Sequence, residues 1–293
     1  MWTFGFGSNM SVSTVENIKG HKVLDHVVGV VRGYKMCFNI ASLAKVEPAF
    51  ANTIKGTDDD EIHGVAIKLS EEDMKKLDAQ ELSYSKVKVT VQGYNGRVIE
   101  DCFMYMMTNE QRFLPPDKQI PSARYLQLVV KGAVESGLND KYVEQLKSTK
   151  TYEPDKETLE KRKTIPSPQL LTPYTLEELH TANAQALAEA KEIGKPCKLA
   201  YLSILGYVMR IPPSTVFIES FLGRDLTSLY LNFFRGKYFM SEDDKGKPPY
   251  PDVINLSEDE KEYLFQHMDN FLDNGEIVGY LKEFLAENDV TKM

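Results

Sequence analysis

Trp2-Thr3-Phe4-Gly5-Phe6-Gly7-Ser8-Asn9-Met10 opens the chain, and its reading decides the fold. Trp2, Phe4 and Phe6 alternate with Thr3, Gly5 and Gly7, the period of a β-strand. The strand breaks at Gly7-Ser8-Asn9-Met10, and Ser11 or Ser13 then stands where a helix cap belongs. A strand that ends in Gly-Ser-Asn before a helix presents successive backbone N–H groups in one direction, a pocket for a carboxylate or an oxyanion. The stretch is not a dinucleotide fingerprint. The third glycine is missing, Met10 stands in its place, and no acidic residue follows about 20 residues on after a clear βαβ unit.

Outward from this turn, the pattern predicts strands over residues 26–33, 34–40 and 62–69. Ser70 then caps a helix with Asp73 three residues on, and Leu69 and Met74 are spaced as a hydrophobic staple. Met74 and Leu77 give this helix a buried side. It ends near Gln80, which leaves Glu81 just past its C-terminus. Val87, Val89 and Val91 alternate with Lys86, Lys88 and Thr90, and a hairpin loop with the Asn95-Gly96 turn signal leads into a return strand over 97–107. A helix from Pro121-Ser122 to Gly137 and a short one capped by Asn139 complete this half.

Residues 149–172 are rich in lysine, glutamate, threonine and proline and read as a linker. Beyond it, Thr175 with Glu178 and Ser257 with Glu260 form capping boxes, 199–211 is a buried strand or strand pair, Asp225 caps a helix, and 276–287 reads as a last helix. The organisation expected is 1–150 as one domain, 151–174 as linker and 175–293 as a mainly helical domain. In this second half, Arg224 is a candidate carboxylate ligand, more often an exposed charge of a capping turn, and 245–251 is a loop.

Lys and Arg number 35 against 43 Asp and Glu, a net charge of −8 that gives no general attraction to nucleic acid or to an anionic membrane. Three widely spaced cysteines make no disulfide framework and fit a reducing compartment. No HExxH or CxxC occurs, so no metal is expected. No apolar run reaches the ~20 residues of a membrane span, and Met1-Trp2-Thr3-Phe4 lacks the basic start of a secretory signal. A cytoplasmic protein is the expectation.

Phe6-Gly7-Ser8-Asn9-Met10 resembles the Tyr-Gly-Ser-Asn-Leu signature of the γ-glutamylcyclotransferases. Gly64-Val65-Ala66-Ile67-Lys68-Leu69 and Leu77-Asp78-Ala79-Gln80-Glu81 resemble the family's strand and its Leu-Asp-x-x-Glu motif. Met107-Thr108-Asn109, Pro121-Ser122-Ala123-Arg124-Tyr125 and Gly132-Ala133 through Gly137-Leu138 are similar to its closing segment. The resemblance runs collinearly from residue 2 to about 150. It implies an α+β fold, a small mixed β-barrel flanked by helices and often dimeric. It also implies cyclisation of γ-glutamyl amino acids to 5-oxoproline with release of the free amino acid, without metal or cofactor. By this resemblance Glu81 is the catalytic carboxylate, acting as general base and then acid. Gly5, Phe6, Gly7, Ser8 and Asn9 form the substrate loop, and Tyr84 and Tyr125 line the site. Phe6 stands where the family has tyrosine and Leu82 where it often has glycine, which bears on the shape of the pocket. Two readings stand: an active cyclotransferase, on γ-glutamyl amino acids or γ-glutamylamines, or a binding or scaffold protein that keeps the fold. Residues 175–293 match no family by inspection, and dimerisation, partner binding or an active-site lid are their candidate roles.

Overall fold

A computed structural model describes residues 1–17, 19–216, 219–236 and 250–288. The chain divides into two compact units, Met1–Glu153 and Pro154–Met293.

In the first unit, β1 (Trp2–Gly5) leads through the glycine turn to α1 (Val12–Asn17). Then come β2 (Asp25–Arg32), β3 (Tyr34–Leu43), β4 (Glu47–Lys55), β5 (Glu61–Lys68), α2 (Glu71–Gln80), β6 (Ser85–Gly93), β7 (Val98–Met106), α3 (Ala123–Glu135) and α4 (Asp140–Lys147). Five strands close a barrel in the order β1-β5-β2-β6-β7. The closing pair, β1 with β7, is parallel, and the other neighbours are antiparallel, so the barrel is mixed. β3 and β4 form a separate antiparallel ribbon inserted between β2 and β5.

Phe4, Ile62, Val65, Ile67, Val91, Cys102 and Met104 fill the core with Met74 of α2 and Val129 of α3. Each such side chain contributes about 1.5–3 kcal/mol on burial. The alternation of β6 holds, with Val89 and Val91 buried and Lys88 and Thr90 exposed. Ser70 caps α2 by accepting from Asp73 N at 3.0 Å, and Ser122 caps α3 by accepting from Tyr125 N at 3.0 Å.

Two glycines let the barrel end close. A Cβ on Gly5 would lie 2.4 Å from the carbonyl oxygen of Asn9, so the turn folds back onto the strand it leaves. A Cβ on Gly64 in β5 would lie 2.3 Å from the carbonyl oxygen of Gly5. No residue with a side chain fits either contact unless the backbone moves.

The second unit contains α5 (Lys156–Lys163), β8 (Thr172–Tyr174), α6 (Leu176–Glu192), β9 (Ala200–Ile204), β10 (Tyr207–Ile211), α7 (Thr227–Phe234), α8 (Glu258–Leu272), β11 (Glu276–Leu281) and α9 (Lys282–Glu287). Helix outweighs strand, and the sheet runs β8-β11-β10-β9. Residues 199–211 are a strand pair. Leu205 and Gly206 both have positive φ, 52° and 74°, as a two-residue hairpin turn requires. Leucine is a poor residue there, yet Leu205 is 1% exposed and its N–H donates to Thr227 Oγ1 at 2.8 Å. Both capping boxes form. Asp225 stands two residues before the start of α7 and one before its N-cap, Leu226, where it accepts from Ser203 Oγ at 2.5 Å and Thr227 N at 3.1 Å. Burial pushes its carboxyl up to about 6.

The structure differs from the sequence reading in three places. β4 carries no expected strand. Its residues are buried on both faces, so no polar–apolar alternation marks it. Residues 276–281 form a strand, not the start of a helix. Ile277, Val278 and Tyr280 favour strands and Gly279 disfavours a helix, and these local preferences prevail. Residues 154–174, linker-like in composition, hold α5 and β8. Arg162 of α5 pairs with Glu262 at 2.7 Å and with Asp269 at 2.6 Å on α8. Of the 245–251 loop, residues 245–249 lie outside the described residues. Among the described residues no helix is long and apolar enough to cross a membrane.

Gly64→Ala should destabilise the first unit by about 1–3 kcal/mol through overpacking against the Gly5 carbonyl. Thermal and denaturant melts followed by circular dichroism measure it. An unchanged stability would mean that β1 and β5 can separate there without cost.

Candidate active site

The turn after β1 is closed by Met10 N donating to Gly7 O at 3.1 Å. It aims the Asn9 side chain at the end of α2, where Asn9 Nδ2 donates to Glu81 Oε1 at 3.1 Å. Glu81 is the C-cap of α2, with its N–H on Leu77 O at 3.0 Å. It follows Leu77 by one helical turn and therefore shares the buried side of Leu77 and Met74 rather than the solvent side. Asp78, one position after Leu77, is tied to β6 through Lys86 Nζ at 2.8 Å and to β7 through the Tyr105 hydroxyl. These ties fix the last turn of α2 and so the position of Glu81.

The Glu81 side chain is 14% exposed and carries an ion pair, with Lys19 Nζ 3.1 Å from the same oxygen, Oε1. Among the described residues Oε2 takes no hydrogen bond. One oxygen is thus held in place and the other is available.

Tyr125 projects from the first turn of α3 and is buried. Its ring packs edge-on against Phe50 of β4 at 4.9 Å and Phe38 of β3 at 6.3 Å between centroids. Its hydroxyl accepts from Ala51 N at 3.3 Å, and the Ser8 side chain lies near enough to act on it. A Cβ on Gly7 would come within 3.6 Å of that hydroxyl, so the turn lies directly beside it. Burial pushes the Tyr125 hydroxyl well above the ordinary tyrosine range. Tyr84 is also raised, first by burial and then by the adjacent Glu81 carboxylate. Both phenols therefore stay protonated near neutral pH and can donate.

A second carboxylate braces this wall. Glu47 of β4 is buried and accepts from Ser122 Oγ at 2.5 Å and from Arg124 Nη1 at 2.6 Å. It fixes the residues on either side of Ala123, and with them the start of the helix that carries Tyr125.

The structure thus brings Gly7, Ser8, Asn9, Glu81, Tyr84 and Tyr125 to one end of the barrel. Gly5 serves the close approach of the backbone. Phe6 is 8% exposed and belongs to the hydrophobic core. Leu82 is 85% exposed at the turn after Glu81. Lys19 and Glu47 adjoin this candidate site, and the sequence reading did not mark them. Lys19 follows a short helix and Glu47 sits in an unrecognised strand, so neither stood in a pattern that a local reading detects. Among the described residues no group of three or more His, Cys, Asp or Glu side chains is placed to hold a metal ion. The thiol of Cys37 is pushed up to about 11 by burial and that of Cys102 to about 12, which makes them poor nucleophiles.

Comparison with known proteins places these residues in context. Residues 61–146 match the AIG2-like family model. The gamma-glutamyl cyclotransferase gliK of Aspergillus fumigatus is 26% identical over 175 residues, which cover 53% of this chain and 64% of that protein. This chain therefore spans just under two thirds of that relative. Among solved structures, a gamma-glutamyl cyclotransferase is 22% identical with a TM-score of 0.44, covering 56% of this chain and 98% of that one. A yeast gamma-glutamyl cyclotransferase specific to glutathione is 14% identical with a TM-score of 0.39, covering 50% of this chain and 93% of the other. The match begins at β5, includes Glu81 and Tyr125, and ends with α4. Within the N-terminal unit, residues 61–146 are thus similar to the AIG2-like family, and the Aspergillus fumigatus relative bears the name of a gamma-glutamyl cyclotransferase.

Proposed function

We propose that the N-terminal unit cyclises γ-glutamyl amino acids to 5-oxoproline and releases the free amino acid. The observation that carries this reading is the Glu81 carboxylate, fixed through Oε1 by Asn9 of the opening turn, with Oε2 open and Tyr84 near the carboxylate. The name of the Aspergillus fumigatus relative supports the same reaction class. A protein that kept the fold only as a scaffold would have no use for a sheltered carboxylate with one oxygen left open.

In this reading Glu81 Oε2 takes a proton from the substrate's α-ammonium. The freed amine attacks the γ-carbonyl carbon, a C–N bond forms, and the carbonyl electron pair moves to oxygen. Backbone N–H groups at Gly7 and Ser8 are the proposed oxyanion donors. The ring nitrogen of the tetrahedral species still carries one proton too many; collapse breaks the bond to the departing amine, which takes the proton held by Glu81, and the ring nitrogen's surplus proton passes through Glu81 to the same amine, leaving a lactam N–H and a free ammonium. Atoms and charge balance without water, metal or redox partner. Because both reacting groups belong to one molecule, orientation supplies much of the rate, and effective molarities for such closures reach about 10⁵–10⁸ M. The enzyme's tasks are to hold the glutamyl chain bent, carry two protons from the attacking to the departing nitrogen and accept charge on one oxygen. A cytoplasmic location, a homodimer and independence from nucleic acid belong to the same proposal.

Residues 1–155 alone should fold and keep the activity, since the motifs and the barrel lie within Met1–Glu153. A folded but inactive fragment would give the C-terminal unit a part in catalysis.

Tyr125→Phe leaves the buried Ala51 N–H without its acceptor, at a cost of about 1–3 kcal/mol in stability. It should raise KM more than it lowers kcat, because the hydroxyl positions the turn rather than moving a proton. A large fall in kcat at unchanged KM would instead assign Tyr125 to proton transfer.

Glu81→Gln keeps the shape and the contact with Asn9 but cannot carry a proton at neutral pH. Formation of 5-oxoproline from a panel of γ-glutamyl amino acids, followed by chromatography, should fall by at least the 10² to 10⁴-fold typical of general acid–base catalysis. A well-folded Glu81→Gln protein with near-normal turnover would sink the mechanism.

A further inference from the structure

We propose that Lys19 reads the α-carboxylate of the substrate, so that Glu81 and Lys19 together recognise the zwitterionic amino-acid head of the γ-glutamyl group. The inference rests on the cyclotransferase reading of Glu81 and goes beyond it, because it restricts the substrate class to γ-glutamyl compounds with a free α-carboxylate.

The argument starts from the position of Lys19. α1 ends two residues earlier, and its last turn is closed by Lys19 N donating to Thr14 O and His21 N to Val15 O, both at 3.1 Å. Gly20 lies between them at φ 71°, the left-handed residue of a helix stop. The backbone at Lys19 is thereby fixed, and the side chain reaches back to Glu81 with Nζ 3.1 Å from Oε1. The side chains are 21% and 14% exposed, so the pair is sheltered but keeps some contact with solvent. In a sheltered pair the cost of desolvating both charges offsets much of the Coulomb gain, so the pair is weak evidence of a role in stability, and Asn9 already orients Oε1. Another task accounts better for a cation at this point.

The chemistry of the substrate supplies one. In an amino acid the ammonium and the carboxylate hang on a single carbon, so opposite charges sit side by side. The ion pair offers the matching arrangement: an open carboxylate oxygen, Oε2, next to a lysine ammonium. When the α-ammonium docks on Oε2, the α-carboxylate must lie beside it, and Lys19 Nζ is the adjacent cation. Lysine has three donors, so it can keep Oε1 and take a substrate oxygen as well. Exact bending of the glutamyl chain then follows, because two charges of the head are pinned before the γ-carbonyl swings toward the amine.

The test compares γ-glutamyl-alanine with the same compound bearing an α-carboxamide, on the full chain and on its Lys19→Met and Lys19→Arg variants. The products are 5-oxoproline and 5-oxoprolinamide. The wild-type protein should prefer the carboxylate by about 10- to 100-fold in kcat/KM, the size of a hydrogen bond to a charged group. Lys19→Met should lose most of that preference by raising KM for the carboxylate alone, and Lys19→Arg should keep it. A wild-type ratio near one, or a ratio unchanged in a well-folded Lys19→Met protein, overturns the assignment. Equal loss on both compounds also overturns it, since it would mark Lys19 as a support for Glu81 only. If the wild-type protein turns over neither compound, the cyclotransferase reading fails, and calorimetric binding of γ-glutamyl-alanine still decides on Lys19. Affinity about 10-fold weaker in Lys19→Met upholds the carboxylate contact. Equal affinity, or no binding by the wild-type protein, overturns it. Melting curves of each variant separate these outcomes from misfolding, and if Lys19→Met does not fold, the wild-type ratio and Lys19→Gln carry the test.

Discussion

The approach of two backbones at the end of the barrel governs the site. Gly64 lets β5 come against the Gly5 carbonyl, and Gly5 in turn lets the Asn9 carbonyl lie over β1. Both contacts are closer than any β-carbon permits, so the polypeptide itself, not a side chain, sets the height of the 7–9 turn above the barrel. Everything functional hangs on that height. Asn9 meets Glu81 across a sequence separation of 72 residues, and Tyr125, from the first turn of α3, lies beside Ser8 and Gly7. Glycine at these positions weakens the strands locally. That weakness is offset by the closed barrel, in which β1 is paired on both sides, with β5 and with β7.

Much of this was legible in the sequence because it is local. The period of Trp2-Phe4-Phe6, the Ser70 cap with Leu69 and Met74, the alternation of β6 and the Asn95-Gly96 turn are short-range patterns, and the corresponding elements form. Glu81 was legible through a motif, and its inward aim has a local cause in the one-turn spacing from Leu77. What was not legible is non-local. Strand β4 hides because both of its faces are covered, so it lacks alternation. Glu47 hides with it, and its partners Ser122 and Arg124 lie 75 and 77 residues away. Lys19 reaches Glu81 over 62 residues. Ion pairs of this kind leave no trace in spacing, because charged residues after a helix face water far more often than they meet a carboxylate. Phe6 is the reverse case: it stands in the motif, yet its ring packs into the core, so its missing hydroxyl alters the barrel interior rather than the rim.

Two carboxylates near the site have opposite surroundings, and this divides their labour. Glu47 is enclosed, and burial raises its proton affinity against the pull of Arg124 and Ser122. Both of its oxygens are already engaged. Removing one partner of such a pair leaves a buried charge or donor unpaired, which is costly, so the pair fixes geometry more than it adds stability. Glu81 has one oxygen engaged and one open. A proton can come and go only at the second kind of carboxylate. Glu47 therefore belongs to the frame that holds Tyr125, and Glu81 is the carboxylate to which the proposed proton transfer falls.

The C-terminal unit follows from the same reasoning about edges. A barrel closed by β1 against β7 has no free strand edge, so a following segment cannot extend it by strand addition. Further chain must build its own sheet and core. The second unit does so: β8, β11, β10 and β9 pair with one another, and Leu202, Leu264 and Phe271 are buried. The backbone of 223–226 runs beside β9, with Gly223 N on Tyr201 O at 2.6 Å, Ser203 N on Arg224 O at 2.8 Å and Leu226 N on Ser203 O at 2.8 Å. That run occupies the sheet's outer edge and commits the backbone of Arg224 to structure. At the other end of the unit, Arg162 is held by two carboxylates of α8, each through two nitrogen–oxygen contacts or more. Bidentate pairing of this kind is among the more specific polar contacts a protein makes. It explains why residues whose composition resembles a tether form a helix: α5 has almost no apolar side of its own, and its order comes from one arginine and the partners that α8 supplies.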